Sequence, residues 1–174
     1  MRNEWITGVG VGRMYLLRPK ERRMPVLDSE KVVTRLRAAF NHGNSSAQLL
    51  ALATQLIREA GPPYTSAYIY MLVEGELVLA AFSGRETEHT RIAVGQGVCG
   101  TAVATGEDQN VGDVRGRENY IACNLFTRSE LVILIRRGAR VLGQIDIDSD
   151  LPDPFTEDEE RAVRQVADAL AVLL

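Results

Sequence analysis

The strongest constraint on this chain is a change of hydrophobic period at Gly61-Pro62-Pro63. Before it, apolar residues recur at helical spacing. Val32, Val33, Leu36 and Phe40 share one face, with Asp28 or Ser29 placed to cap its start and His42-Gly43-Asn44 to stop it. Leu49, Leu52, Ala53 and Leu56 repeat the pattern after Ser45 or Ser46. A glycine followed by two prolines ends this second helix, because proline lacks an N–H and crowds the preceding turn. Beyond it, residues 67–73 and 77–82 are rich in aromatic and β-branched side chains around Glu74-Gly75, which predicts a hairpin. Residues 90–94 read as a further strand and 99–105 as a short helix. Residues 131–135 and 141–147 read as a second hairpin across Arg137-Gly138-Ala139. The last segment is the clearest helix. Thr156 and Glu159 make a T-x-x-E capping box, and Val163, Val166, Ala167, Leu170 and Leu173 form its buried stripe. Helix, helix, strands, irregular centre, strands, helix: this order predicts an α+β domain, an antiparallel sheet with helices on one face.

A chain of 174 residues suits one such domain, here residues 28–174, preceded by an N-terminal arm over residues 1–27. The arm holds Gly8, Gly10 and Gly12 and a basic run at 18–23. Its glycines are no phosphate loop, since no strand precedes them and no G-K-[ST] follows. A net charge of -3 gives no support to nucleic-acid binding. No apolar run reaches the roughly 20 residues of a membrane helix, and residues 1–15 lack the apolar core of a secretion signal. The chain is therefore expected to be cytoplasmic, without membrane or nucleic-acid partners.

The centre of the chain, residues 95–130, departs from simple packing logic. It is read as largely irregular, a ligand-enclosing loop anchored by Val98, Val111, Val114, Tyr120, Ile121 and Leu125. Gly95-Gln96-Gly97-Val98-Cys99-Gly100 matches G-x-G-x-x-G, but the helix it opens is too short for a dinucleotide βαβ unit. What survives is a close backbone approach allowed by the glycines and a helix start that favours an anion or a thiolate at Cys99. The chain has two cysteines, Cys99 and Cys123, too few for a disulfide framework. Each is either a small packed residue or a reactive thiol. Asp146 and Asp148 fall on one face of an otherwise apolar strand. They serve a site, or they mark a solvent-exposed strand end. His42 and His89 are far apart and the cysteines lack C-x-x-C spacing, so no metal site is read.

Taken in order, these segments resemble a known family. Gly97-Val98-Cys99-Gly100, Val111-x-Asp113-Val114, Ile121-Ala122-Cys123, Ser129-Glu130 and Gly143-x-Ile145-Asp146-Ile147-Asp148-Ser149 are similar to the free methionine-R-sulfoxide reductases, a branch of the GAF domains. The similarity runs from about Asn44 to Leu174. It implies a six-stranded antiparallel GAF sheet, helices on one face, a loop-enclosed pocket on the other, and a homodimer. By that resemblance Cys123 is the catalytic cysteine and Cys99 a resolving cysteine. Glu130, Asp146 and Asp148 are pocket carboxylates, and Tyr70 is a pocket tyrosine.

The sequence departs from the family's pattern at three places. His89 stands near a second resolving cysteine, Asn124 replaces an aspartate, and Ser66 replaces a tryptophan, which enlarges the pocket or removes a stacking surface. Ser66, Tyr70, Asn124, Gly97 and Val98 are the expected substrate-binding residues. The implied reaction is reduction of free methionine sulfoxide through a sulfenic acid at Cys123 and a disulfide to Cys99. No bound cofactor takes part, and thioredoxin or a similar dithiol is the external reductant. The second reading is a GAF module that binds a small molecule or senses oxidants without turnover.

Overall fold

The computed structural model describes residues 27–116 and 126–174. Residues 1–26 of the arm, Cys123, Asn124 and the expected anchors Tyr120, Ile121 and Leu125 lie outside the described residues. Leu27, placed in the arm by sequence, is buried in the core.

The first two helices form where the caps place them. α1 spans Ser29–Asn41, and the Asp28 carboxylate accepts from the Lys31 N–H at 3.0 Å. α2 spans Ser46–Glu59 and opens with a complete capping box between Ser45 and Gln48. The buried line of α1 runs through Val32 and Leu36, while Phe40 is 47% exposed. The helix turns Phe40 away from its neighbours near its C-terminal end, so the expected apolar face is shorter than four residues.

Six strands follow: β1 (Ser66–Val73), β2 (Glu76–Ser83), β3 (Arg91–Ala93), β4 (Gln109–Val111), β5 (Ser129–Arg137) and β6 (Arg140–Ser149). Helix α3 (Gly97–Thr105) lies between β3 and β4, and α4 (Glu157–Leu173) ends the chain. The strands form one antiparallel sheet in the order β3-β2-β1-β6-β5-β4. The central segment is thus more regular than the sequence reading. It contributes β4, which has no alternation of its own and exists through pairing of Gln109, Asn110 and Val111 with Val132, Leu131 and Glu130.

The register decides what each face becomes. Ala67 and Ile69 of β1, Ile145 and Ile147 of β6, and Leu131, Ile133 and Ile135 of β5 point to one side. There they pack on Leu36 of α1, Ala53 and Ile57 of α2, and Val163, Val166, Ala167 and Leu170 of α4. Each fully buried aliphatic side chain contributes about 1.5–3 kcal/mol, so this layer is the main source of stability. Gly143 lets β6 approach β1 there: a Cβ on it would lie 2.2 Å from the Tyr70 carbonyl oxygen.

At the start of α4, the Thr156 hydroxyl accepts from the Glu159 N–H at 3.3 Å, the first half of the expected box. Glu159 is itself buried, and its carboxylate accepts from the Tyr64 hydroxyl. Burial, together with that carboxylate, pushes the phenol well above its ordinary range. Among the described residues, no helix is long and apolar enough to cross a membrane.

Candidate active site

The opposite face of the sheet is built from the alternate residues of the same strands. Cross-strand pairing lays them in three rows. The first runs Ser66, Asp148, Glu130, Val111; the second Tyr68, Asp146, Val132; the third Tyr70, Gln144, Leu134. Val98, Cys99 and Ala102 of α3 pack over this face against Tyr68, Tyr70, Val132 and Leu134. The carboxylates therefore lie under an apolar roof. Glu130 is 3% exposed, and Asp146 and Asp148 are fully buried. Of the two sequence readings for the aspartates, the solvent-exposed strand end is excluded.

The α3 roof brings a thiol to the acids. Gly97 opens α3 with φ +63°, a conformation that favours glycine, and a Cβ on Gly100 would lie 2.3 Å from the Ala93 carbonyl. The helix is thus seated tightly on the end of β3. Cys99 is buried, and its Sγ donates to Glu130 Oε1 at 3.6 Å. The Cys99 sulfur, one Glu130 oxygen and one Asp146 oxygen all lie within 4.8 Å of one another. His89, Ile92, Gln96, Gly97 and Val98 line a small pocket together with Cys99 and Glu130.

Burial dominates the electrostatics. Desolvation penalises the ionised form of all three acids. It pushes Asp146 up to about 7, with the adjacent Cys99 thiol and Glu130 carboxyl opposing the rise. Glu130 rises well above the ordinary carboxylate range, first by desolvation and then by repulsion from Asp146 and Asp148. Asp148 rises for the same first reason and by repulsion from Asp146, partly offset by Thr127 and by the Arg85 charge. All three shifts favour the neutral carboxylic acid over the ion.

The loop between β2 and β3 covers one side of the site, and β1 holds it there. The Ser66 hydroxyl accepts from the Arg85 N–H at 3.0 Å. The Tyr68 hydroxyl donates to the Arg85 carbonyl, and the Tyr70 hydroxyl to the His89 carbonyl, both at 2.9 Å. A Cβ on Gly84 would lie 2.6 Å from Ser66 Oγ, so the Gly84–Arg85 backbone takes up the room that a serine leaves. This corrects the expected pocket enlargement at Ser66: loop backbone fills the space. Tyr70 is fully buried and acts on the pocket through the His89 carbonyl. On the rim, Arg85 makes a bidentate pair with Asp150, both contacts 2.6 Å, and its guanidinium stands 5.3 Å from the centre of the Phe126 ring.

Of the residues singled out by sequence, Cys99, Glu130, Asp146, Asp148, Ser66, Tyr70, Gly97 and Val98 lie on or over this one face. Cys123 and Asn124 lie outside the described residues. Two polar members of the face were missed by sequence reasoning, Tyr68 and Gln144. The signal was present: they stand at the same period-two positions as Tyr70 and Asp146.

Six antiparallel strands with helices on one face and a roofed acidic pocket on the other define a GAF-type domain, and residues 46–174 match the GAF domain family. A free methionine-R-sulfoxide reductase of Escherichia coli (strain K12) is 36% identical over 125 residues, 72% of this chain and 75% of that one. A type II free methionine-R-sulfoxide reductase from Thermoplasma acidophilum superposes with a TM-score of 0.71 at 35% identity, covering 74% of this chain and 91% of that one. The free methionine-R-sulfoxide reductase from Neisseria meningitidis, solved in complex with its substrate, gives a TM-score of 0.76 at 30% identity, covering 83% and 87%. The chain belongs to the GAF domain family, in its free methionine-R-sulfoxide reductase branch.

Proposed function

We propose that this protein reduces free methionine-R-sulfoxide to methionine, with Cys123 as the nucleophile and Cys99 as the resolving thiol. The observation that carries the reading is the buried set of Glu130, Asp146 and Asp148 beside the Cys99 thiol, in a chain similar to enzymes of that name.

A sulfoxide sulfur becomes electrophilic when its oxygen is protonated or strongly hydrogen-bonded. An acid held in its neutral form supplies that proton, and the upward shifts of the buried carboxyls favour that form. An ionised neighbour in the same cluster pairs with the substrate ammonium. The Cys123 thiolate attacks sulfur, the oxygen passes to it, and methionine leaves, so Cys123 becomes a sulfenic acid. The Cys99 thiol then condenses with that acid, releasing water and forming a disulfide. A dithiol of the thioredoxin class returns both thiols by exchange. The two cysteines lie 24 positions apart in sequence, so bridging brings their Cα atoms within about 7 Å.

The test is turnover of free L-methionine-R-sulfoxide, with dithiothreitol in one arm and thioredoxin, its reductase and NADPH in another. Methionine is expected to accumulate, and C123S to abolish it. Wild-type turnover no greater than that of C123S in both arms overturns the reductase reading. A thermal-shift comparison of methionine sulfoxide with cyclic nucleotides then reports on a purely ligand-binding GAF module. Turnover with dithiothreitol alone removes thioredoxin from the proposal and keeps the reductase. Sedimentation equilibrium tests the proposed homodimer.

A further inference from the structure

We propose that Cys99, Glu130 and Asp146 form a site for a borderline-soft divalent cation, with Zn2+ the ion that fits best. The three come from different elements, α3, β5 and β6, and sequence spacing gave no hint of a metal site. One donor atom from each nevertheless converges within 4.8 Å. The contact between Cys99 Sγ and Glu130 Oε1 is 3.6 Å. With Zn–S of about 2.3 Å and Zn–O of about 2.0–2.2 Å, a tetrahedral S···O edge is about 3.5–3.7 Å. The observed edge therefore already has the length of a zinc tetrahedron.

A second observation points independently to a ligand. Asp146 is fully buried, and neither of its carboxylate oxygens has a hydrogen-bond partner among the described residues. A buried carboxylate in that condition is costly, and a cation against it removes the cost. The donor set selects the ion. One sulfur with two carboxylates suits Zn2+ and its analogue Co2+. Mg2+ and Ca2+ demand six or more oxygen donors that three side chains do not supply. His89 lines the same pocket.

Metal binding at this place does not depend on the proposed reductase activity; only its consequence does. A cation there occupies the resolving thiol and two of the acids, so it competes with sulfoxide and shields Cys99 from oxidants.

The experiment uses the full chain as its C123S variant, reduced and anaerobic. Cys99 is then the sole thiol, because the sequence has two cysteines. Titration with Co2+ is expected to give a near-ultraviolet thiolate charge-transfer band saturating at one equivalent. Zn2+ bleaches it, and a hundredfold excess of Mg2+ does not. Adding C99S removes the band, and adding D146N or E130Q weakens Zn2+ binding at least tenfold, with circular dichroism reporting that each variant is folded. Zn2+ also slows iodoacetamide labelling of Cys99 at least tenfold. No band in folded C123S overturns the proposal, as does Zn2+ binding by both D146N and E130Q with the parent's affinity. A band without any sulfoxide turnover in the wild type keeps the metal site and overturns the reductase reading. Turnover without a band does the reverse.

Discussion

Glu130 and Asp148 are directly paired across β5 and β6, so two buried carboxylates stand side by side on one face of the sheet. Like charges directly opposite destabilise a strand pair, and desolvation adds to the penalty. Asp146, on the next row, is raised from 3.8 to about 7. The folded state thus holds protons that the unfolded chain has already released, and stability falls as pH rises from about 4 to about 7. Asp113 and Asp150 are shifted the other way by Arg115 and Arg85, so their effect lies on the acid side of the ordinary aspartate value. Melting temperatures should decline from pH 5 through 6 to 7, and D146N should show a shallower decline. Parallel curves for wild type and D146N would show that Asp146 titrates normally.

Tyr70→Phe removes one hydroxyl from the set that ties the β2–β3 loop to β1. The bond to the His89 carbonyl is part-buried, so losing it should cost about 1–2 kcal/mol. Hydrogen exchange should quicken across residues 84–90 and stay unchanged in α4, which packs on the far face. If the loop forms part of the substrate pocket, KM rises more than kcat falls. An exchange pattern identical to wild type would mean that the loop is held by other contacts.

How much of this was legible depended on whether the signal was local. α1 and α2 start where Asp28 and Ser45 cap them, and both hairpins fall around Glu74-Gly75 and Gly138. Period two put Asp146 and Asp148 on one face, but it left open whether that face was wet. The answer lay in β6 being central, flanked by β1 and β5, and in α3 roofing the row, neither of which is written locally. β4 was illegible for the same reason: three residues without alternation become a strand only because β5 offers an edge. Glu159 read as a capping residue, and its long-range partner Tyr64, 95 positions away, had no local trace. Of the two readings for Ser66, the enlarged pocket fails because backbone at Gly84 crowds the serine, which side-chain size does not report.

Gly143→Ala should be among the most damaging small substitutions. The added methyl would sit 2.2 Å from the Tyr70 carbonyl oxygen and 3.0 Å from the Met71 Cα, both backbone atoms of a central strand. Neither relaxes by a rotamer change, so β1 and β6 would have to separate between the core and the site face. Overpacking usually costs about 1–3 kcal/mol, and a backbone clash belongs at the upper end or beyond. Denaturant unfolding measures this, with Gly143→Ala expected to lower the midpoint strongly. A shift under about 0.5 kcal/mol would mean that the sheet accommodates the methyl by twisting.

The Arg85–Asp150 pair separates stability from binding. Its side chains are 35% and 41% exposed, so solvent screens the attraction and Asp150→Asn should cost no more than about 1 kcal/mol. The pair also stands on the pocket rim. Arg85 is anchored through its backbone by Ser66 and Tyr68, its charge favours the ionised form of Asp148, and it stands against the Phe126 ring. Without Asp150, the guanidinium loses its bidentate partner, and its position over Phe126 is no longer fixed. Asp150→Asn is therefore expected to leave the melting temperature nearly unchanged while raising KM for the sulfoxide severalfold at low ionic strength. At 0.5 M salt, where the Debye length falls to about 4 Å, wild type and variant should converge. A KM difference that persists undiminished at high salt would assign the effect to lost packing rather than to the charge pair.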